Sequence, residues 1–402
     1  MLKQDIVREA TRLTRAGQLV DATALLQRML RDAGAPDAPL RTSGHIAPTG
    51  REPLIIDGKP NAVEDTDSPH LGPATSAQPQ MLRAFLDHTK ERPLGLRGVI
   101  KRAPTSTADI VPEGAKFIEG TYSNAAGSRA YRLFIPSRYK EEPIPLVVML
   151  HGCTQSPEDF AAGTRMNFIA EEQTCFVVYP AQRSEANQAK CWNWFRAADQ
   201  QRGGGEPSLI AGITRQIMRD YSVDPKRVYV GGLSAGAAAA VVMGATYSDL
   251  YAAIGVHSGL ACGAASDLPS AMVAMRQGRG SDGRVLLGDR PPVPTIVFHG
   301  DRDNTVHPNN GGQVLAQSMR TTSTQRKVHR GRVPGGHAYT RTTHTDATGR
   351  VIFEHWNIHG AGHAWSGGSD TGSYTDQRGP DATREMLRFF LEHSLPNESG
   401  QR

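Results

Sequence analysis

The chain has 402 residues, of which 38% are hydrophobic, and this is enough apolar material for one sizeable core. Its 45 basic and 40 acidic side chains leave a formal net charge of only +5. So small a surplus, with both signs mixed, argues against a nucleic-acid partner. No stretch is long and apolar enough to be expected to span a bilayer.

The compartment is predicted from the first residues and from the cysteines. Residues 1–9 carry charged side chains where a secretory signal would be apolar, which predicts a cytoplasmic address. The chain has four cysteines: Cys153, Cys175, Cys191 and Cys262. Their spacing matches neither a C-x-x-C motif nor a zinc site. In a reducing compartment we expect thiols rather than disulfides.

Three segments are predicted along the chain. Residues 1–32 have apolar positions at helical spacing on both sides of a break, which predicts a helical hairpin. The hairpin is expected to dock on the main domain or on a second subunit, and the alternative is that it binds another partner. Residues 33–114 are rich in proline and glycine and predict a linker. Within it, residues 81–102 predict a short basic amphipathic helix that either packs on its neighbour or seeks an anionic surface. The main domain is expected over residues 115–396.

The main domain alternates strands with helical segments. Residues 116–122 and 129–135 predict an antiparallel hairpin. Apolar runs typical of buried strands follow at residues 145–150, 175–179, 227–230, 253–256, 294–298 and 351–358. Helices are clearest over residues 208–221 and from residue 380. This alternation predicts an α/β fold with a doubly wound, mostly parallel sheet.

One turn in this domain indicates nucleophilic chemistry. A β-branched strand runs into Gly232-Leu233-Ser234-Ala235-Gly236 and then into a run of small residues that predicts a helix. G-x-S-x-G between strand and helix is typical of the nucleophile elbow of α/β-hydrolases, where the serine occupies a strained turn and the glycines permit close packing. We therefore predict an α/β-hydrolase with Ser234 as the nucleophile.

A serine hydroxyl needs a histidine base that a carboxylate orients, and in this fold the acid and then the histidine follow the serine along the chain. Asp303 comes shortly after one predicted core strand, and His363 comes shortly after the last one. Asp301 is the rival acid, and the usual loop length after such strands favours Asp303. The alternatives are a turn-forming aspartate at 303 and a core histidine at 363.

The oxyanion would be held by two backbone amides. Gly152 allows the turn after the first core strand to bend, so that the Cys153 N–H can join the Ala235 N–H on the developing charge. His151 either supports this turn or lines the substrate site.

Three tryptophans, Trp192, Trp194 and Trp365, fall in loops that we expect to rim the site, with core packing as the alternative. His355, His359 and His363 recur every fourth residue, which on a helix would suggest a metal face. The β-rich run up to residue 358 and the glycines beside His363 argue against a helix, so no metal and no cofactor is predicted.

Five motifs in this order resemble those of the poly(3-hydroxybutyrate) depolymerase-type serine esterases, a family that includes feruloyl esterases. They are Leu-His-Gly-Cys-Thr-Gln at 150–155, Cys-Trp-Asn-Trp at 191–194, Gly-Leu-Ser-Ala-Gly at 232–236, His-Gly-x-x-Asp at 299–303 and Gly-His-Ala-Trp-Ser-Gly-Gly at 362–368. The resemblance implies a triad of Ser234, Asp303 and His363 and hydrolysis of carboxylic esters. Residues 8–17 further resemble intracellular members of the family.

The resemblance also implies a substrate class. The favoured substrate is poly(3-hydroxybutyrate) or its oligomers, and the alternative is that the protein is a feruloyl or acetyl-xylan type esterase. Polymer-degrading relatives carry a further substrate-binding domain, and none is expected here, so amorphous granules or soluble oligomers are the expected substrates. A peptidase on the same scaffold and a granule-associated binding protein with a vestigial triad are the two remaining hypotheses. Cys153 and Cys191 occupy positions that can be joined in secreted relatives, and the sequence leaves their pairing open.

Overall fold

A computed structural model describes residues 109–278, 292–319 and 322–396 of the chain. The predicted helical hairpin at residues 1–32, the basic helix at residues 81–102 and all but the end of the linker lie outside the described residues. Those assignments stay predictions.

Ten strands form the main sheet, and two short strands pair separately. The strands are β1 (Lys116–Asn124), β2 (Gly127–Ile135), β3 (Ile144–Leu150), β4 (Phe176–Pro180), β5 (Val223–Leu233), β6 (Ala253–His257), β7 (Thr295–Gly300), β8 (Gln325–Arg332), β9 (Ala338–Thr345), β10 (Val351–His359), β11 (Trp365–Ser366) and β12 (Thr375–Asp376). The main sheet has the order β1-β2-β4-β3-β5-β6-β7-β10-β9-β8. Its six inner strands, from β4 to β10, are parallel, and antiparallel strands extend it at both ends.

Seven α-helices cover the two faces of this sheet in the described part of the chain. They are α1 (Pro157–Thr164), α2 (Met166–Gln173), α3 (Gly205–Asp220), α4 (Ala235–Thr246), α5 (Leu268–Gln277), α6 (Asn309–Ser318) and α7 (Ala382–Leu391). Helices α3 to α6 contribute to the apolar core on one face, and α1, α2 and α7 contribute to the core on the other. The predicted doubly wound, mostly parallel sheet is confirmed.

The inner strands owe their burial to continuous apolar sequence. Every residue of β3, β4, β6 and β7 is buried, as expected of parallel strands that are covered by helices on both faces. All eight strand positions predicted from the sequence coincide with strands of the structure. The parallel strands end on the same side of the sheet, and their carboxyl ends carry the loops that hold the candidate site.

Strands β8 and β9 were not predicted. Residues 325–332 are Gln-Arg-Lys-Val-His-Arg-Gly-Arg, and nearly all of them are exposed. Because β8 is an edge strand, it has no core face to impose apolar alternation, and basic side chains at a sheet edge discourage further pairing. A hydrophobic pattern therefore could not reveal this hairpin.

The packed structure begins before residue 115. Ile110 is buried in the core beside α1 and α2, and its carbonyl oxygen accepts a hydrogen bond of 3.0 Å from Asn167 Nδ2. None of the helices in the described part of the chain is both long and apolar enough to cross a bilayer.

Candidate active site

Ser234 occupies the sharp turn between β5 and α4. Its backbone has φ 57° and ψ −118°, a conformation that is strained for a residue with a side chain and that marks functional turns. A Cβ atom added at either Gly232 or Gly236 would clash with the Leu150 carbonyl oxygen at the end of β3. The two glycines are therefore required so that strand and helix can pack this closely.

His363 and Asp303 meet on the loops that follow β10 and β7. His363 Nδ1 lies 2.7 Å from Asp303 Oδ2, and the aspartate side chain is completely buried. The other carboxylate oxygen, Oδ1, accepts hydrogen bonds from the backbone N–H groups of Thr305 and Val306 at 2.9 and 2.8 Å. The carboxylate is therefore held in one orientation, with its second oxygen directed at the imidazole.

Asp303 remains ionised despite its burial. Desolvation by burial alone would raise the pKa of Asp303, but the charge interaction with His363 and hydrogen bonds from His299 and His363 outweigh it and hold the pKa well below its usual range. A buried anion that accepts from Nδ1 leaves Nε2 as the free nitrogen of His363. That is the tautomer in which Nε2 can accept a proton.

The rival acid, Asp301, belongs to a different pair. Its Oδ2 atom lies 2.9 Å from His359 Nδ1, and its Oδ1 atom accepts from the Gly360 N–H at 2.7 Å. Both side chains of this pair are substantially exposed. Asp301 therefore does not face His363.

The serine turn and the loop that carries His363 are connected through His257, a histidine that the sequence did not single out. The Ser234 N–H donates to the His257 carbonyl oxygen at 2.9 Å, and His257 Nε2 accepts from the Ser366 N–H at 3.0 Å. Within the described residues no hydrogen bond joins the Ser234 hydroxyl to His363. Catalytic hydrogen bonds are often longer without substrate and tighten when it binds. The signal for His257 was its position at the end of a buried strand.

The turn after β3 is held in place by buried polar groups. His151 is buried, its Nδ1 lies 2.8 Å from the Gly152 carbonyl oxygen, and its Nε2 accepts from the Gln182 N–H at 3.0 Å. Burial lowers the pKa of His151 to about 4. His151 is thus a neutral support of the turn and does not line a substrate site, which corrects that part of the prediction.

The two predicted oxyanion donors flank the elbow. Gly236, next to Ala235, packs against the carbonyls of Leu150 and His151, which brings the start of α4 to the turn that carries Cys153. No intramolecular acceptor is found for the Cys153 N–H or the Ala235 N–H among the described residues. Two such donors beside a nucleophile could stabilise a developing oxyanion.

A disulfide closes the same turn. Cys153 and Cys191 are bonded, whereas Cys175 and Cys262 are free and buried. The expectation of four thiols is therefore wrong for Cys153 and Cys191, because the fold brings two cysteines that are 38 residues apart in sequence next to each other. Sequence spacing cannot show that proximity.

The three tryptophans do not rim the site. Trp192, Trp194 and Trp365 are 0%, 6% and 1% exposed, so the packing alternative is correct and the prediction of a tryptophan wall is wrong. Trp192 Nε1 donates to the His151 carbonyl oxygen at 3.1 Å, and Trp365 packs on the ring of His257. Trp192 thus supports the turn after β3, and Trp365 fixes the loop of His363 against His257.

A buried carboxylate anchors the loop of residues 191–194. Glu206 at the start of α3 accepts from the Asn193 N–H and the Asn193 Nδ2 atom, both at 2.7 Å, and from Gln182 Nε2. Burial raises the pKa of Glu206. The backbone N–H of Gln182 also donates to His151, so this network reaches the turn after β3. A lone Glu in a helical segment gave no sequence signal of this role.

The three histidines spaced four residues apart do not share a helix, because His355 and His359 lie on β10 and His363 lies in the loop beyond it. Among the residues that the structure describes, no three His, Cys, Asp or Glu side chains are grouped closely enough to hold a metal ion.

Fold and site together define the class of the protein as an α/β-hydrolase: a doubly wound sheet with a strained serine elbow and an aspartate–histidine pair on the following strand ends. The family model "Esterase PHB depolymerase" matches residues 129–331, half of the chain. The chain therefore belongs to the Esterase PHB depolymerase family.

Curated relatives come from several kinds of esterase. The poly(3-hydroxyalkanoate) depolymerase C of Paucimonas lemoignei is 34% identical over 232 residues, which is 54% of this chain and 54% of the relative. Probable acetylxylan esterase A of Aspergillus clavatus is 30% identical over 44% of this chain and 61% of its own length. Feruloyl esterase B of Neurospora crassa is 28% identical over 56% of this chain and 80% of its own length. The chain thus spans little more than half of the Paucimonas protein.

Among solved structures, the acetyl xylan esterase from Aspergillus awamori superimposes with a TM-score of 0.53 at 19% identity. The match covers 69% of this chain and 99% of that one. At this identity the likeness shows a shared fold.

Proposed function

We propose that the protein is a serine esterase that hydrolyses carboxylic esters through an acyl-enzyme on Ser234. The observation that carries the proposal is the 2.7 Å contact between His363 Nδ1 and the buried, ionised Asp303, on loops at the same edge of the parallel sheet as the serine elbow. Family membership and the names of the esterase relatives support the same reaction.

In the first half of the proposed reaction, His363 Nε2 takes the proton from Ser234 as its oxygen attacks the ester carbonyl carbon. Asp303 stabilises the imidazolium that forms. The negative charge on the carbonyl oxygen is held by the N–H groups of Cys153 and Ala235. Collapse of this intermediate breaks the ester bond, and His363 returns the proton to the departing alcohol.

In the second half, His363 takes a proton from water as the water oxygen attacks the acyl-enzyme. Collapse of the second intermediate releases the carboxylic acid and returns the proton to Ser234. Besides the ester and one water molecule, both halves use only groups of this chain, with the amide donors and the imidazole supplying the charge stabilisation and proton transfer.

The deciding experiment replaces the nucleophile. Ser234→Ala should lower hydrolysis of p-nitrophenyl butyrate by about 10⁴- to 10⁶-fold, as when a triad serine is removed, while the circular dichroism spectrum is unchanged. Ser123→Ala, on the exposed β1–β2 hairpin, is the matched control and should keep full activity. Turnover by Ser234→Ala comparable with that of the control would refute the mechanism.

A binding protein with a vestigial triad is the competing proposal from another class. A fluorophosphonate probe should label the wild-type protein on Ser234, because only an activated serine reacts. Absence of labelling together with absence of ester turnover would favour the binding protein.

For the substrate we propose poly(3-hydroxybutyrate) or its 3-hydroxybutyrate oligomers, on the strength of the Paucimonas relative. The acetylxylan and feruloyl esterase relatives support the alternative of plant-derived esters. Initial rates on a 3-hydroxybutyrate trimer, methyl ferulate and acetylated xylan, measured with one enzyme preparation, separate the two. Amorphous granules can then be tested as a polymer substrate.

The cytoplasmic address stays a proposal, and the disulfide weighs against it, because structural disulfides persist in oxidising compartments and are rare in the cytosol. Alkylation of free thiols at the moment of cell lysis, followed by mass spectrometry, decides between them. Alkylated Cys153 and Cys191 would support the cytoplasm, and a protected pair would support an oxidising compartment.

The arrangement of a helical hairpin, a linker and a hydrolase domain is likewise proposed. Limited proteolysis should cut within residues 33–108 and leave a stable fragment that retains esterase activity.

A further inference from the structure

Only three large apolar side chains are clearly exposed in the part of the chain that the structure describes: Ile118, Val328 and Tyr374. Ile118 lies on β1 and Val328 on β8, the two edge strands of the main sheet. Scattered exposure of this kind is normal on a sheet edge. Tyr374 is different, because it precedes β12 in the loop that crosses above the turn after β3.

Contacts on both sides place Tyr374 between the two loops of the candidate site. Its hydroxyl lies 3.1 Å from Thr154 Oγ1, and Thr154 follows the proposed oxyanion donor Cys153. Its carbonyl oxygen accepts from the Trp365 N–H at 2.7 Å, two residues after His363. Tyr374, which is 42% exposed, is thus tied to the oxyanion turn through its hydroxyl and to the histidine loop through its backbone carbonyl.

The backbone of Tyr374 is strained, and its neighbours hold it so. Its φ angle is 55°, in the left-handed region where a bulky residue is unusual. Ser373, the preceding residue, is fixed by Asp159, which accepts from its N–H at 2.9 Å, and by Gln155 Nε2, which donates to its carbonyl oxygen at 3.1 Å. Gln155 also accepts from the Gly152 N–H at 2.9 Å. The same side chain therefore holds both the oxyanion turn and the tyrosine loop.

Hydrogen bonds hold Tyr374 in a strained and exposed conformation, and this exposed side chain adds little to the stability of the core. Such a residue indicates a functional constraint. Aromatic rings provide a large apolar face at small cost in side-chain entropy. The tryptophans predicted to form an aromatic wall are buried, and Tyr374 is the aromatic side chain that the structure presents at this place.

We propose that Tyr374 is a substrate-binding residue whose ring forms a wall for the aliphatic chain of the ester, next to the oxyanion turn. This inference rests on the proposed esterase function. The occupant is an aliphatic acyl or hydroxyacyl chain, because an aromatic ring offers an apolar face and the hydroxyl is already engaged by Thr154.

The test compares Tyr374→Ala with wild type on p-nitrophenyl butyrate and p-nitrophenyl acetate. The KM for the butyrate should rise about tenfold, the fold-change expected when one aromatic contact is lost, with kcat nearly unchanged and a smaller effect on the acetate. Tyr374→Phe keeps the ring and should retain a KM near that of wild type. A 3-hydroxybutyrate trimer should respond to both variants as the butyrate does.

Ile118→Ala and Val328→Ala remove equally exposed apolar side chains away from the site and should leave KM unchanged. Equal KM values for Tyr374→Ala and wild type on the butyrate would overturn the inference. An equal fall in kcat for both esters would also overturn the inference, because it would show that Tyr374 supports the oxyanion turn and does not bind the acyl chain. Neither result touches the proposed function, which fails if the wild-type protein hydrolyses no ester or if Ser234→Ala keeps its activity.

Discussion

Two aspartate–histidine pairs lie within a few residues of each other, and they differ mainly in burial. Asp303 Oδ2 is 2.7 Å from His363 Nδ1, and Asp301 Oδ2 is 2.9 Å from His359 Nδ1. The first carboxylate is 0% exposed and the second 36%. Both aspartates follow β7, so the local sequence and the pair geometry are nearly the same.

The comparison shows that burial and neighbouring hydrogen bonds, and not the distance between aspartate and histidine, determine how strongly the two side chains interact. Charges in a buried site interact strongly because water does not screen them, whereas an exposed pair is worth about 0–1 kcal/mol. Asp303 also has two backbone N–H donors on its other oxygen. The buried pair thereby has a fixed geometry, as the proposed proton transfer from Ser234 requires, and the exposed pair ties two loop ends together.

The largest expected effect comes from removing each negative charge in turn. Asp303→Asn should lower kcat for p-nitrophenyl butyrate by about 10⁴-fold, because the amide favours the wrong tautomer of His363. Asp301→Asn should change kcat by less than about twofold, since a surface pair contributes little. Both values come from initial-rate kinetics at neutral pH.

If Asp301→Asn were the inactive variant and Asp303→Asn the active one, the assignment of the orienting acid would be reversed. Thermal melts of both proteins show whether either loss of activity reflects unfolding.

The second largest effect is expected from removing the disulfide between Cys153 and Cys191, which holds the turn after β3. Cys153→Ser with Cys191→Ser should lower the free energy of unfolding by about 4 kcal/mol, from the 38-residue separation of the two cysteines and the entropy of the closed loop in the unfolded chain. Ester turnover should fall as well, because the Cys153 N–H loses its fixed position.

Urea denaturation with and without a phosphine reductant measures the same quantity on the unmodified chain. Burial raises the pKa of Cys175 and of Cys262 to about 12, so these thiols stay unreactive in the folded protein and do not confuse the comparison. Equal unfolding free energies with and without reductant would show that the bridge is dispensable.

Burial should also appear in the pH dependence of stability. Burial lowers the pKa of His257 to about 3, whereas an unfolded histidine titrates near about 6.5. Between these values the unfolded chain binds more protons, so the free energy of unfolding falls as the pH falls below about 6.5. The loss for this one residue reaches about 2 kcal/mol at pH 5.

Replacing His257 by Gln should therefore shrink the difference in unfolding free energy between pH 7 and pH 5 by about 2 kcal/mol. An undiminished pH dependence in His257→Gln would assign the whole of it to other groups, such as His151 and His355, whose pKa values burial lowers to about 4.

The smallest effect concerns a positioning residue behind the buried pair. His299 Nε2 donates to the Val306 carbonyl oxygen at 2.8 Å and lies 3.5 Å from Asp303 Oδ2. His299→Leu should lower kcat about tenfold with KM unchanged, because losing the hydrogen bond to the Val306 carbonyl oxygen loosens the loop that carries Asp303. His299→Gln keeps a donor and should recover most of the rate.

His355→Leu is the matched control, because His355 is another buried histidine and has no hydrogen bond to Asp303. Identical kcat values for His299→Leu and wild type would remove His299 from the support of the site.

Local sequence determined much of the framework. The continuous apolar runs predicted the inner parallel strands, since residues buried on both faces must be apolar. The glycines at 232 and 236 predicted the turn at Ser234, because only glycine fits where strand and helix meet. The order of serine, acid and histidine after successive strands placed Asp303 and His363 among the candidates.

Only the tertiary structure decided the points that depend on neighbours distant in sequence. It chose between Asp301 and Asp303, since the two have nearly the same local sequence and differ in what surrounds them. It joined Cys153 to Cys191, buried the three tryptophans and exposed Tyr374. It also added β8 and β9, whose polar residues carry no pattern because an edge strand has no core to face. Periodicity reports burial, but it does not report which loops meet, and the proposed chemistry depends on that meeting.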